Sequence, residues 1–160
     1  MVALLIKFSS NGEVEWQNAY SGPRWTRVFS VQQISNGDYI AAGGALYHPH
    51  PDYNTEFLVF RLHPDGRIKW AYMYPGVGGD VAYSVDETKD NGFVVAGLTG
   101  TLDPDFKDIW VLKLSSTGES QWGMILGGTD YESEWDNETE RIGVFETSDG
   151  GYLKKNAGCG

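Results

Sequence analysis

The sequence predicts an all-β fold in which one unit of roughly 50 residues, built from antiparallel strands, recurs along the chain. Three observations predict this fold. Aromatic residues make up 14% of the 160 residues, and 21 residues are Gly. Aromatic side chains suit half-buried strands, whereas Gly suits tight turns. One hairpin pattern that ends in Trp occurs three times, and a second hairpin pattern separates its copies.

The first hairpin pattern combines alternating apolar and polar residues with a Gly-containing turn and a Trp four residues after that Gly. Its copies contain Asn-Gly, Asp-Gly or Thr-Gly, which are typical of hairpin turns. The three Trp residues are separated by 54 and then 52 positions. Because Trp is large enough to cover a neighbouring hairpin, we expect these residues to pack between units. The repeated positions are Gly12 and Trp16, Gly66 and Trp70, and Gly118 and Trp122.

The second hairpin pattern lies between the copies of the first. Residues 28–44 match residues 82–97, and a third copy begins at residue 144 and reaches Leu153. Beyond that point Lys154 and Lys155 stand where an apolar strand is expected. One copy of each pattern gives four antiparallel strands, so we interpret each unit as a four-stranded sheet.

Four antiparallel strands at this period predict the blade of a β-propeller. The predicted single domain contains a half-blade over 1–22, blades over 23–74 and 75–126, and a half-blade over 127–160. Propellers close with about 4 to 8 blades. We therefore expect either a partial propeller, with further repeats elsewhere in a longer chain, or one half of a six-bladed ring closed by dimerisation.

Two sequence motifs resemble known propeller families. The run Leu112-Lys113-Leu114, followed by Thr117-Gly118 and Trp122, resembles the strand–turn–Trp motif of quinoprotein (PQQ-type) repeats. The alternation of a Gly-Gly-Tyr hairpin with a Gly-to-Trp hairpin is similar to repeats of bacterial and archaeal surface proteins. The resemblance implies a propeller fold. The repeats that it resembles are often extracellular or on the cell surface, and the sequence leaves the location of this chain open. The resemblance carries over no cofactor-binding residue, so we expect no PQQ or other organic cofactor.

Charge and composition narrow the classes of partner. The net charge of −10 repels phosphate backbones and anionic membranes, so we expect no nucleic-acid partner. No segment approaches the roughly 20 apolar residues of a membrane span, and we interpret the apolar start as a strand interrupted by Lys7, not as a signal peptide. The single Cys159 excludes an intrachain disulfide and a thiolate metal cluster.

Two polar segments are candidate metal sites. Residues 130–140 carry six carboxylates at alternate positions, and oxygen ligands of this kind suit Ca²⁺ or a basic partner. The alternative is a solvated loop or a charged edge strand. His48 and His50 are a candidate pair for a transition metal, the alternative being a loop with exposed histidines. The acidic candidates are Asp130, Glu132, Glu134 and Asp136.

The start of the predicted innermost strand is a candidate ligand-binding site. Arg24, Trp25 and Arg27 combine an aromatic ring with two basic groups, which suits a sugar or an anion. Packing is the alternative role for Trp25.

Phosphate-binding loops, the Gly-x-Ser-x-Gly elbow and the His-Glu-x-x-His motif are absent from the sequence. We therefore expect an interaction or scaffold module and not an enzyme; the alternatives are a self-assembling carbohydrate-binding propeller and a fragment of a propeller hydrolase or quinoprotein.

Overall fold

A computed structural model describes residues 2–22, 25–46, 55–76, 78–100, 107–127 and 142–155. These residues form twelve β-strands and no helix. The first hairpin pairs β1 (Ala3–Phe8) with β2 (Val14–Tyr20). The first complete sheet contains β3 (Trp25–Gln33), β4 (Tyr39–Leu46), β5 (Thr55–Leu62) and β6 (Ile68–Tyr74). The second contains β7 (Val81–Glu87), β8 (Phe93–Gly100), β9 (Lys107–Leu114) and β10 (Ser120–Leu126), and the last hairpin pairs β11 (Gly143–Glu146) with β12 (Tyr152–Lys155).

Both complete sheets are antiparallel, and the spatial order of their strands follows the chain. The predicted all-β class and the four-stranded antiparallel sheets are therefore confirmed. We call the turn between the first and second strands of a sheet the inner turn, and the turn between the third and fourth strands the outer turn. By the same sequence pattern, β1 and β2 correspond to the third and fourth strands, and β11 and β12 to the first and second.

Each outer turn depends on a glycine with a left-handed backbone. Gly12, Gly66 and Gly118 have φ values of 86°, 80° and 86°, which cost a residue with a Cβ more than they cost glycine. The amide of each glycine donates to the carbonyl three residues earlier, as Gly12 does to Ser9 at 3.0 Å. The sequence therefore closes the three hairpins by the same local geometry.

Apolar side chains fill the spaces between successive sheets. The largest cluster lies between the two complete sheets. It includes Phe57 and Val59 from the first sheet and Phe93 and Leu114 from the second, and all four side chains are fully buried. A second cluster joins the first hairpin to the first sheet, and a third joins the second sheet to Ile142 and β11. The inner strand β7 contacts β3 on one side and β11 on the other. The sheets are thus packed face to face in chain order, and the described residues form no closed ring.

Candidate functional site

The three repeated Trp residues make the same contact with the unit that follows each of them. Each indole lies edge-on against an aromatic ring at the start of the second strand of the next unit. The ring centroids are 5.8, 5.9 and 5.3 Å apart, with interplanar angles of 74°, 60° and 66°. The pairs are Trp16 with Tyr39, Trp70 with Phe93, and Trp122 with Tyr152.

Strand β2 also binds the outer turn of the first complete sheet through side chains on one face. Trp16 Nε1 donates to the carbonyl of Pro64 at 2.9 Å, and Asn18 Nδ2 donates to that of Asp65 at 3.5 Å. The Tyr20 hydroxyl donates to the carbonyl of Gly66 at 2.6 Å. Because side chains at alternate positions share a face, three donors of one strand meet three successive carbonyls.

Strand β6 binds the next outer turn in a related way. The Tyr74 hydroxyl donates to the carbonyl of Gly118 at 2.5 Å, and burial raises the pKa of Tyr74. The ring of Tyr72 lies against Gly118, where an added Cβ would be 2.7 Å from a ring carbon. At this junction Trp70 Nε1 is buried without a hydrogen-bond partner among the described residues. The Ser116 carbonyl, the counterpart of the Pro64 carbonyl, accepts from Arg61 at 3.1 Å.

The corresponding face of β10 is exposed. Trp122, Met124 and Leu126 are 39%, 53% and 42% exposed, and we call them the β10 flank. These side chains occupy the positions that hold Trp16, Asn18 and Tyr20 on β2. The β10 flank therefore corresponds to the surface by which β2 and β6 contact the following outer turn, but its side chains are apolar.

An apolar face of β1 is exposed at the other end of the stack. Leu4, Ile6 and Phe8 are 57%, 39% and 56% exposed, and we call them the β1 flank. The side chains at these positions in the complete sheets pack against the preceding unit. Those side chains are Leu58, Phe60 and Leu62 in the first sheet, and Trp110, Leu112 and Leu114 in the second.

A charged cluster ties the inner turn to the third strand in the second sheet. Lys113 Nζ lies 2.8 Å from Asp90 Oδ2 and 3.2 Å from Gln121 Oε1. Thr88 and the Gly92 amide also donate to Asp90. The hydrogen bond from Lys113, together with these donors, lowers the pKa of Asp90 to about 2. The cluster therefore holds the buried ammonium group of Lys113 against the Asp90 carboxylate of the inner turn.

The first sheet contains a variant of this cluster. Arg61 replaces the lysine, and its guanidinium lies 2.8 Å from Asp38. Burial by itself raises the pKa of Asp38, but hydrogen bonds from Lys69 and Arg61 more than offset that effect and hold it below its usual value. Both complete sheets thus join a carboxylate of the inner turn to a cation of the third strand.

The two hairpins at the ends of the stack carry the separated halves of such a cluster. Lys7 on β1 forms an ion pair with Glu15, the counterpart of Gln121. Asp149 in the turn between β11 and β12 accepts from Thr147 and from the Gly151 amide, as Asp90 does from Thr88 and Gly92. No ion pair joins Asp149 to another residue in the part of the chain that the structure describes.

The predicted ligand-binding residues lie partly within the described chain. Trp25 and Arg27 lie on β3, and the Arg27 guanidinium carbon is 5.4 Å from the centroid of the Trp25 ring. Arg27 is exposed and Trp25 is half-buried. A cavity of about 260 Å³ between β1 and β3 is lined in part by Arg27 and Phe29. Arg24 lies outside the described residues.

The predicted metal ligands also lie outside the described residues. These are His48, His50, Asp130, Glu132, Glu134 and Asp136. Within the described ranges, no three His, Cys, Asp or Glu side chains form a group that could hold a metal ion. No helix in those ranges is long and apolar enough to cross a membrane.

The sequence analysis assigned no charged contact to Lys7 or Asp149. A signal for Asp149 was nevertheless present, because the pattern Thr-x-Asp-x-Gly occurs at 88–92 and again at 147–151. Asp80 is a further omission: it is 0% exposed and accepts from Thr99 at 2.5 Å and from the Gly76 amide at 2.8 Å. Those bonds tie the segment after β6 to the end of β8.

Comparisons with known proteins give information on the fold alone. No protein-family model matches the chain, and no curated protein matches it. The fold is similar to the crystal structure of a protein of unknown function from Bacteroides caccae, with a TM-score of 0.57 and 14% sequence identity. The match covers 96% of this chain and 50% of that protein, so this chain spans about half its length. The arrangement of strands is therefore similar to that of a longer, experimentally determined structure.

Proposed function

We propose that the chain is a β-propeller segment that works as an interaction module and assembles through its two exposed flanks. The repetition of one junction between units supports the propeller assignment. At successive junctions a Trp of the outermost strand meets the next inner hairpin, and a Tyr of that strand donates to the next outer turn. A fixed relation between successive four-stranded sheets is the organisation of propeller blades.

The observation that carries the interaction role is the exposure of the β1 and β10 flanks. Each flank contains three large apolar side chains on one face of a strand. Contiguous apolar surface of this kind marks an interaction site more often than isolated exposed residues do. Because the same faces are covered at every internal junction, the natural ligand of each flank is another unit of this repeat.

Sedimentation velocity tests the assembly role. We expect the wild-type chain to associate as its concentration rises from about 1 to about 100 µM. Phe8→Ser on the β1 flank and Met124→Lys on the β10 flank should each prevent association without lowering the melting temperature of the monomer. Ile68→Ser, which replaces another exposed apolar side chain on β6, is the matched control. A wild-type chain that stays monomeric over the whole range would contradict the proposal.

A second candidate function is binding of a carbohydrate or an organic anion at β3. The contact between Arg27 and the ring of Trp25 supports it, because an aromatic face beside a guanidinium offers stacking and charge-assisted hydrogen bonds to one ligand.

Calorimetry with a panel of neutral and acidic oligosaccharides tests this second candidate. We expect Trp25→Ala to abolish binding and Arg27→Ala to weaken acidic ligands more than neutral ones. Arg67→Ala, which removes an exposed arginine of an outer turn, should leave binding unchanged. Equal affinities of wild type and Trp25→Ala for every ligand that binds would rule out this site.

A further inference from the structure

We infer that β12 of one copy pairs with β1 of a second copy, placing Tyr152 opposite Phe8 and Asp149 against Lys7. The inference rests on the proposed assembly function and adds the identity of the partner and the register of the strands. It follows from three features of the described residues: two open strand edges, two halves of a charged cluster, and two exposed apolar flanks.

The strand edges fix the register. In both complete sheets the second strand pairs with the third, with Tyr39 opposite Leu62 and Phe93 opposite Leu114. Tyr152 follows the left-handed Gly150 by two residues, as Tyr39 follows Gly37 and Phe93 follows Asn91. Phe8 precedes Gly12 by four residues, as Leu62 precedes Gly66. Continuing the ladder places Leu153 opposite Lys7 and Lys154 opposite Ile6.

The charged groups fit the same register. In the second sheet Lys113 holds one partner on the fourth strand, Gln121, and one in the inner turn, Asp90. Lys7 already holds the fourth-strand partner, Glu15, and Asp149 already has the local hydrogen bonds of Asp90. Pairing of β12 with β1 would bring Asp149 to Lys7 and complete the cluster. Opposite charges at this junction favour the proposed register over a shifted one.

The apolar flanks meet in the same arrangement. Gly66 and Gly118 are buried beneath aromatic side chains of the preceding unit, whereas Gly12 is exposed and an added Cβ there would have no atom within 4 Å. In the assembled pair the β10 flank of one copy covers the β1 flank and the outer turn of the other. Met124 and Leu126 replace polar donors of β2, so this junction is more apolar than the first internal one.

If a two-fold axis relates the two copies, both pairings of β12 with β1 form at the same time. Each copy supplies β12 to its partner and receives the partner's β12, as expected for an isologous pair. Two complete sheets from each copy and two shared sheets give six, within the range of closed propellers. Within one copy the two hairpins lie at opposite ends of the stack and are not paired. A second copy therefore satisfies both open edges at once.

Disulfide cross-linking between different chains tests the register. Ile6→Cys and Lys154→Cys are made in separate chains, each with Cys159→Ser, and the two chains are co-expressed and mildly oxidised. Opposed strand positions have Cα separations of about 4.5 to 5.5 Å, within the range of disulfides. We expect a covalent dimer from the mixture and none from either variant alone. Leu153→Cys mixed with Ile6→Cys is the out-of-register control, because neighbouring positions face opposite sides of the sheet.

The outcomes separate this inference from the proposed function. A covalent dimer in the mixture, with none in the control, supports the second copy and its register. Association in sedimentation without the cross-link overturns the register and leaves the assembly role standing. A chain with both cysteines that cross-links only within itself overturns the second copy as the partner. Absence of both association and cross-linking overturns the inference and the assembly role together.

Asp149→Asn tests the charged contact separately. Asn36 occupies the equivalent position of the first inner turn, so asparagine is compatible with the turn. We expect the dissociation constant of the dimer to rise about tenfold, because a charge-assisted hydrogen bond to Lys7 is weakened. Asp65→Asn, at an exposed carboxylate paired with Arg67 in its own turn, should leave it unchanged. An unchanged dissociation constant in Asp149→Asn would overturn the contact.

Discussion

Asp90 shows how one side chain can make stability depend on pH. Its pKa is lowered from 3.8 to about 2 in the folded protein, first by the hydrogen bond from Lys113. A carboxyl group with a lowered folded pKa stabilises the fold above its unfolded pKa, and this contribution is lost as the pH falls through the folded value. Its effect therefore belongs to the range between about pH 4 and pH 2.

We predict that Asp90→Asn is less stable than the wild type at neutral pH and that this difference shrinks as the pH falls from about 4 to about 2. Asparagine keeps the size of the side chain but does not titrate. Urea denaturation at a series of pH values, followed by circular dichroism, measures the difference. A difference that stays constant over this range would show that the Lys113 contact does not set the pKa of Asp90.

At the scale of single residues, the sequence predicted which positions pack between units better than it predicted which side chains contact each other. The Gly–Trp spacing identified Trp16, Trp70 and Trp122, because a fixed period in a repeated strand fixes which side chains meet the next unit. Asp80 could not be recognised in the same way. Its burial depends on Thr99 and Gly76, which approach it only after β6, β7 and β8 have packed. Residues 130–140, His48 and His50 lie outside the described residues, so their proposed metal binding stays a prediction.

The outer strands β2 and β6 form hydrogen bonds to the unit that follows each of them. Each ends in a tyrosine whose hydroxyl donates to the carbonyl of a turn glycine in the next unit. These bonds join different sheets. They therefore stabilise the packing between sheets, whereas the backbone ladder stabilises only the pairing of strands within one sheet.

We predict that Tyr20→Phe and Tyr74→Phe each lower the free energy of unfolding by about 1 kcal/mol, because a buried carbonyl loses its donor. Tyr72→Phe is the control on the same strand, since its ring lies on Gly118 and phenylalanine keeps that contact. Chemical denaturation at a concentration where the chain is monomeric compares the three variants. Equal losses in Tyr72→Phe and Tyr74→Phe would show that the hydroxyl bond contributes nothing specific.

Hairpins were the elements most accessible to sequence analysis. A left-handed glycine between alternating residues is a local signal, and the turns at Gly12, Gly66 and Gly118 need nothing beyond it. Strand β12 was harder to foresee, because Lys154 and Lys155 do not continue the apolar pattern. The structure nevertheless pairs them with Val144 and Gly143. Backbone hydrogen bonding to β11 thus extends the strand beyond its apolar residues.

At the scale of the whole molecule, the repeat predicted the sheets but not how their ends are satisfied. The two complete sheets follow from the period, since each contains one copy of each hairpin. The end hairpins contain the same patterns, and their partners depend on a contact that the described residues of one chain do not make. The sequence left dimerisation and further repeats as alternatives, because a period specifies neighbours without specifying which chain supplies them.

We predict that the melting temperature rises with protein concentration, because assembly stabilises the folded chain by mass action. Differential scanning fluorimetry from about 1 to about 100 µM measures the rise. The Phe8→Ser variant should show a melting temperature independent of concentration. A wild-type chain whose melting temperature is equally independent would count against assembly of the folded state.

The open edges of β1 and β12 also create a hazard for the molecule. Pairing between them closes only if the rotation from sheet to sheet brings both ends of two copies into register at once. If that rotation changes, the same edges join copies head to tail without limit, and the product is a helical filament. Unpaired strand edges are the usual template for such growth. If copies pair as proposed, the curvature set by the packing between sheets decides whether the assembly is a finite particle or a fibre.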